Sequence, residues 1–517
     1  MSDAERIFLN IFSLFRRDVT EDDYASVFRH VIEETGFNDV FVKMDGLDFT
    51  DLVKGLVEWR LISFDEINKL YTTHPLIKGY FEFDFEEKEK KLCHKRIYNY
   101  FGKDAPEKPE TLEEMQPLFE QVYHGCAAEL YDKVINDVYF DKIRRSDEHF
   151  ITHILGAWEI DISLVRTFFP KGNFSQMSLV TNKIDQNWLL AIAGLALLAT
   201  GRPKEAEKLL FKKTNMQIKV KDWKNASKGY GLLADLQFCT GELESGLENA
   251  NKALDTAEKA KSDENIMSSK AYLAWIFHLT GKNEEAEKVF READELEGKI
   301  SGNRLHGLWG VFYADFLLSM KRIVEAFELT KQNLEICQRY NVLNDISRCR
   351  RCLGAIDRIK GNHKEAENHL QNALEIARKV GVPDLEIEAL IESGSLNLDM
   401  GKHEDAIRVA REALKICDRT GFKLYEPDAE IVLLCAHATL NDLEQATTFA
   451  HSAYGKAITM HYRWPEGNAA HLLGEIYLSK GDKTKAREWI EKSVACRKEI
   501  SDPNVKESEE LLERFMI

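Results

Sequence analysis

Four groups of residues in this chain have the types and spacing for chemistry. Cys349-Arg350-Arg351-Cys352 is a C-x-x-C pair, the spacing used to hold zinc or to cycle between dithiol and disulfide. A structural zinc site draws on four ligands, and no second pair follows this one. Both cysteines fall in a helix-periodic stretch, where Cys serves as a small apolar side chain, so packing is expected. His124-Gly125-Cys126 sets an imidazole beside a thiol in sequence. A nucleophilic cysteine needs its base adjacent in space and a further group orienting that base, so this trio is read as packing in a connector helix. His74 stands in Thr73-His74-Pro75-Leu76-Ile77-Lys78, against a proline at the mouth of an apolar segment. Arg348, Arg351 and Arg358 are spaced i, i+3 and i+10, which places them on one helical face. No G-x-S-x-G, H-E-x-x-H, calcium loop or phosphate-cradling G-x-x-x-x-G-K-[ST] occurs in the sequence, each of which would carry a defined mechanism. The chain is expected to be no enzyme and to hold no metal and no cofactor.

The elements that position these groups belong to a long, ordinary globular composition. Of 517 residues, 44% are hydrophobic and 30% charged, which excludes a disordered chain. The net charge of -17 argues against nucleic acid and anionic membrane as partners, because a phosphate-tracking surface needs an excess of Lys and Arg. Nine cysteines, an odd number scattered along the chain, fit reduced thiols and a cytoplasmic protein better than a disulfide framework. The N-terminal IFLNIFSLF follows Asp3 and Glu5 and runs into Arg16-Arg17-Asp18, so it reads as a core helix and not a signal peptide. WLLAIAGLALLATG, from Trp188 to Gly201, is shorter than the roughly 18 residues of a membrane span.

Self-similarity organises the second part of the chain. TGKNEEAEKVFREAD is echoed by KGNHKEAENHLQNAL, MGKHEDAIRVAREAL and KGDKTKAREWIEKSV, and turn residues recur every forty positions at Gly201, Gly241, Gly281, Lys321, Gly361, Gly401, Asn441 and Gly481. A small residue stands five positions after each turn, and mostly small ones stand twelve after and seven before. Glycine or asparagine just past a helix end takes the left-handed conformation cheaply, and a second helix so close must run back beside the first. Small residues at the crossings let the backbones approach. Leu434, Lys213 and Asn333 break that rule.

Small residues at these positions of a helix-turn-helix unit resemble the tetratricopeptide repeat family, over about residues 184 to 500. The resemblance implies an all-α fold: a right-handed α-solenoid of about eight forty-residue hairpins, with a capping helix over 501–517, read from Asp502-Pro503 to Phe515. It also implies that the first helices line a concave groove. Arg348, Arg351 and Arg358 would then face into it, as would Trp275, His278 and Phe238 in earlier repeats. Arginine grips carboxylates bidentately and aromatics supply anchors, so the expected partner is a protein or peptide with an acidic, partly apolar segment. Asp315 and Glu388 occupy rows of the same groove and could neutralise the arginines.

Residues 1–103 have a different pattern: helices around IFLNIFSLF, DDYASVFRHVIEE and DFTDLVKGLVEW, then short runs LISF and KLYTTH separated by DEIN. Three helices and a hairpin outline a winged helix. The order of these pieces resembles the winged-helix domain that follows the nucleotide-binding domain of STAND-type signalling ATPases, with 104–183 as a helical connector and the repeats, 184–500, as sensor. In that family a histidine at the position of His74 reaches the diphosphate of bound ADP. The ATPase half is missing from the sequence, so a STAND ATPase domain would have to be supplied in trans or upstream. The resemblance implies a protein-binding scaffold, the sensing half of a signalling switch. A peptide-regulated transcription factor with an N-terminal helix-turn-helix is the alternative. The first hundred residues hold 14 Lys and Arg against 20 Asp and Glu, and the helix in the place of a recognition helix sets Lys54 against Asp48, Asp51 and Glu58, where a DNA reader should be basic.

Overall fold

In a computed structural model that describes residues 1–29, 39–103 and 105–514, the chain forms two compact units. One comprises 1–150 and 163–186, the other 151–162 and 187–517.

The first unit is nucleated by aromatic residues. Helix Asp3–Phe12 starts at a capping box formed by Ser2 and Glu5, and its period of 3.6 buries Phe8, Leu9, Ile11 and Phe12. The Phe8 ring lies 4.6 to 6.2 Å from those of Phe12, Tyr24, Phe28, Phe41 and Phe49, drawing helices Glu21–Phe28, Asp39–Lys43 and Gly46–Glu58 into one core. The expected second helix extends into residues 30–38, which lie outside the described residues. A hairpin follows, with Ser63–Asp65 antiparallel to Leu70–Thr72 and Phe64 opposite Tyr71. Val19 adds an antiparallel bridge to Tyr71. Helix Glu87–Lys103 then packs on Gln116–Ala127, and Tyr131–Val134 runs on into a π-helical stretch, Ile135–Arg144.

The second unit is a row of antiparallel hairpins. Their first helices are Lys183–Ala199, Trp223–Cys239, Asp263–Leu279, Gly307–Ser319, Leu343–Ile359, Pro383–Asp399, Glu426–Thr439 and Arg463–Ser479. Their second helices are Pro203–Lys219, Leu243–Ala260, Asn283–Ser301, Ile323–Arg339, His363–Val380, His403–Thr420, Leu443–Met460 and Lys483–Glu499. All eight turn residues of the sequence comb have positive φ, including Lys321 and Asn441. Each is followed by a residue whose N–H bonds back to the carbonyl five before it, as Asn362 does to Asp357 at 2.8 Å, which closes the helix end in a Schellman arrangement. A second comb, unmarked by glycine in most repeats, joins each hairpin to the next. Lys221, Lys261, Asn341, Gly381, Gly421, His461 and Ser501 all have positive φ.

The irregular positions have local reasons. Leu434, seven before its turn, is fully buried against Ala450. The equivalent glycines face larger partners: a Cβ on Gly354 or Gly474 would lie 2.6 Å from Leu370 and 2.3 Å from Ile490. Bulk has changed sides of the seam, conserving volume. Asn333 takes its place because the preceding loop is longer; its side chain accepts from the Gly307 N–H (2.7 Å) and donates to the Gly307 carbonyl (2.9 Å), fixing the start of the late-beginning helix. Lys213 is buried and reaches the Asn225 carbonyl at 3.2 Å. Burial pushes its pKa down to about 8. Helix Val505–Glu513 covers the last hairpin; Phe515 lies outside the described residues.

Candidate functional site

His74 caps a helix. Its Nδ1 accepts the Leu76 N–H at 3.2 Å at the start of Pro75–Phe83, with Pro75 in the first turn. Because Nδ1 is an acceptor, the neutral ring carries its proton on Nε2. The side chain is exposed, so that Nε2–H is available to a ligand. The capped helix shows Leu76, Tyr80 and Phe83 to solvent at 79, 65 and 93% exposure, a spacing of i, i+4 and i+7 that puts all three on one side.

In the second unit, side chains from the first helices of several hairpins meet in a common interior. The three arginines are there, each already engaged by the chain's own carboxylates. Arg351 holds Asp315 through both terminal nitrogens, at 2.5 and 2.7 Å, and reaches Glu388 at 3.3 Å. Arg348 bonds Asp384 at 2.8 Å and lies 3.4 Å from Asp345. Arg358 bonds Glu392 at 2.5 Å and Asp399 at 3.0 Å. The three guanidinium forks are thus occupied from both sides: Asp315 reaches in from the preceding hairpin, and Asp384, Glu392 and Asp399 from the following one. Burial opposes the charge of Arg348, yet facing Asp384 and Asp345 raise its pKa. The acids around them outnumber the arginines. Asp235 keeps some exposed surface but lies deep among protein atoms, and burial lifts it to about 7 against the pull of Arg348. Asp428 is likewise lifted to about 7 by burial, against a bond from Tyr462, and burial raises Glu388.

The three aromatic candidates divide. Trp275 stacks on Phe312, with centroids 4.7 Å apart and planes within 5°, and keeps part of its surface. Phe238 and His278 are buried at 3 and 4%, which corrects their expected exposure to a groove. Phe238 packs edge-on against Phe312 at 5.6 Å. His278 lies among Trp275, Phe316 and Trp464, with Nδ1 3.1 Å from Asn283 Oδ1 and Nε2 3.4 Å from Ser319 Oγ. Burial pulls its pKa down to about 4.

What the repeat period did not disclose is that the array closes on itself. Trp464 Nε1 donates to the His278 carbonyl at 3.0 Å, and Asn283 Nδ2 to that of Ile500 at 2.5 Å. The turns at Gly201, Gly241 and Gly281 abut Thr420, Met460 and Ile500. These partners lie about five repeats apart in sequence, and no local pattern signals their meeting.

The remaining chemical candidates pack. Cys349 and Cys352 are fully buried, and burial pushes the Cys126 thiol up to about 12, unsuited to nucleophilic work. His124 meets another imidazole instead: its Nδ1 shares a 2.8 Å hydrogen bond with that of His94, and its Nε2 lies 3.4 Å from Glu120. Among the described residues no group of three His, Cys, Asp or Glu side chains is arranged to hold a metal ion, and no helix is long and apolar enough to cross a membrane.

Family patterns agree with three of the hairpins. The tetratricopeptide repeat pattern matches residues 345–419 and, in a second form, residues 468–496. The chain is 23% identical over 230 residues to a Tonsoku-like protein of Danio rerio, a match that takes in 42% of this chain and 15% of that protein. Among solved structures, it aligns at 16% identity and a TM-score of 0.41 with a signal transduction ATPase with numerous domains (STAND) carrying a tetratricopeptide repeat sensor, from Pyrococcus horikoshii, over 100% of this chain and 66% of that one. It aligns at 12% identity and a TM-score of 0.41 with a Rap protein complexed with competence and sporulation factor, over 64% of this chain and 98% of that one. The matched stretches are tetratricopeptide repeats, and they coincide with three of the eight hairpins.

Proposed function

We propose that this chain is a non-catalytic, cytoplasmic scaffold that binds a protein or peptide in the interior of its repeat array, as the sensing half of a STAND-like switch. In this reading 1–103 is a winged-helix-like domain, 104–183 a connector, 184–500 eight repeats and 501–517 a cap. The observation that carries it is the interior itself, where inward-facing polar and aromatic side chains from successive tetratricopeptide hairpins meet. Arg348, Arg351, Arg358 and Trp275 border the binding surface; Phe238 and His278 shape it from behind. With the arginines paired internally and Asp235, Asp384 and Asp428 close by, the segment we propose carries basic or neutral polar groups at that depth, not acidic ones. An acidic segment would have to displace Asp315 and Glu388 from Arg351.

The switch half of the reading rests on His74, whose Nε2–H is directed away from its capping bond and suits a phosphate oxygen. The exposed Leu76, Tyr80 and Phe83 beside it would pack against the ATPase domain that supplies the nucleotide. Helix Gly46–Glu58, with three carboxylates to one lysine, gives the DNA-reading alternative no support.

The test is site-specific photo-crosslinking in cells of origin. A crosslinker replacing Trp275 or Tyr462 should capture a common partner that one replacing the exposed Glu295 on a second helix does not. Equal capture from Glu295, or none from the two inward positions, would overturn the interior as binding surface.

A further inference from the structure

The first unit contains a cavity of about 280 Å³ that the reading above does not use. It lies between helices Glu21–Phe28 and Gly46–Glu58 and the hairpin, walled by Tyr24, Val53, Val57, Phe64 and Tyr71. Three aromatic rings are gathered there with fixed geometry. Phe64 and Tyr71 have centroids 4.5 Å apart, and Tyr71 meets Tyr24 edge-on at 5.2 Å. Tyr24 is only 1% exposed, whereas Phe64 and Tyr71 each keep part of their surface. The Phe64 ring already attracts a cation: the Lys69 ammonium stands 5.6 Å from its centroid.

Charge at the rim selects the ligand. Glu21 and Glu58 border the cavity, and neither has a cationic side chain within ion-pair distance among the described residues. Two lysines stand nearby: Lys54, at the rim, lies 3.5 Å from Asp51, and Lys69 stands over the Phe64 ring, where a ligand cation would have to displace it. An anion would meet two carboxylates that no ion pair engages among the described residues. A neutral apolar ligand would gain from the walls and nothing from the rim. A bare ammonium would exchange its hydration for walls that are mostly apolar, with the Thr50 hydroxyl as a side-chain acceptor besides the tyrosines. A cation whose charge is spread over alkyl groups matches both parts of the site, since aromatic faces attract it through the ring quadrupole and carboxylates add Coulomb attraction. We propose that this pocket binds an alkylammonium group, with Phe64 and Tyr71 as the ring contacts and Glu21 and Glu58 as the countercharge.

The full chain would be titrated by calorimetry with choline and, separately, with 3,3-dimethyl-1-butanol, the neutral carbon isostere of choline. Choline should bind saturably and at least about tenfold more tightly than the isostere, a difference of about 1.4 kcal/mol. The Glu21→Gln, Glu58→Gln double variant, altered only at exposed positions and checked by circular dichroism, should bring the two affinities together. A peptide bearing trimethyllysine tests the source of the cation: tighter binding than choline assigns the site to a modified protein, and weaker binding to a free small cation. Equal binding of choline and isostere to the unaltered chain, no saturable choline binding, or choline affinity unchanged in the double variant would each overturn the proposal.

Discussion

Exchange of bulk across the hairpin seam can be tested by a double-mutant cycle at Gly474 and Ile490. A Cβ on Gly474 would lie 2.3 Å from Ile490 Cγ1, 3.0 Å from its Cδ1 and 3.3 Å from the Ala486 carbonyl oxygen. Gly474→Ala therefore gains about 1 kcal/mol of helix propensity and loses about 1 to 3 kcal/mol to overpacking, a net loss of about 0 to 2 kcal/mol. Ile490 is fully buried, so Ile490→Ala alone should cost about 2 to 5 kcal/mol through lost contacts and the cavity left behind. In the double variant the new methyl enters the space vacated by isoleucine. The clash disappears while the propensity gain remains, so the double variant should be more stable than the sum of the singles predicts by about 1 to 3 kcal/mol. Leu434 facing Ala450 is the natural form of the same exchange. Urea unfolding gives the stabilities, and hydrogen exchange over 463–499 keeps the reading local, because stacked repeats need not unfold as one unit. Coupling within about 0.5 kcal/mol of zero would refute the argument that these two positions share one volume.

Arg351→Met should destabilise the array by about 3 to 5 kcal/mol, because it leaves Asp315 and Glu388 facing each other without their shared cation; adding Asp315→Leu should restore much of the loss in urea midpoint. Two groups should give stability opposite slopes with pH. Burial, with the charge of His124 next, holds His94 at about 3, below its unfolded 6.5, so its contribution is complete above pH 6.5 and is lost as pH falls toward 3; His94→Asn should flatten that acid limb. Asp235, held near 7 by burial against 3.8 unfolded, contributes below pH 3.8 and loses that contribution as pH rises through 7, so Asp235→Asn should stabilise the chain at pH 8 by about 1 to 3 kcal/mol and not at pH 3.5, as read by thermal melts. His74→Ala should cost about 0.5 to 2 kcal/mol through loss of the cap, whereas His74→Asn should keep the cap and, in a complex with an ATPase domain, still weaken the nucleotide-bound state; full nucleotide affinity in that variant would confine His74 to capping.

The repeat was legible because its determinants are local. Five residues after each turn a small side chain is required wherever two backbones cross, and Gly361 or Gly401 announces the crossing by type. The second comb was not legible, since Lys221, Lys261 and His461 adopt positive φ with no residue type to mark it; the bond closing the preceding helix and the packing of the next one hold them there. Arg351 could be placed on the correct helical face by spacing alone. Its engagement by Asp315 could be suspected from the row they share but not decided, because a solvated arginine and a buried bidentate pair have the same periodicity. Phe238 and His278 are covered in different ways: Phe238 by Tyr272 and Phe312 of the following hairpins, and His278 by closure of the array, since Trp464, which covers it, is 186 residues away.

That closure bears directly on how a ligand could reach the interior. The seam between the early turns and the last hairpins combines apolar contacts at Thr420, Met460 and Ile500 with two side-chain-to-backbone bonds, a buried one from Asn283 and a part-buried one from Trp464, and exposed polar pairs at His461–Glu244 and Lys321–Glu507. Exposed pairs of this kind contribute about 0 to 1 kcal/mol, so the apolar contacts and the two side-chain-to-backbone bonds set the cost of parting the seam. The buried Asn283 bond leaves an unpaired polar group when broken, at about 1 to 3 kcal/mol, and the part-buried Trp464 bond costs less because water reaches it. A partner that enters by opening the seam must offset this, which lowers its apparent affinity by the fraction of time the seam is open. A partner that threads along the axis bears no such cost, but it must pass the Arg351 and Asp315 pair in extended form. The two routes leave different traces in the same measurement. Entry through the seam requires exchange of the Asn283 and Trp464 side-chain protons to accelerate with partner concentration, whereas axial entry leaves them protected and perturbs only the inward rows.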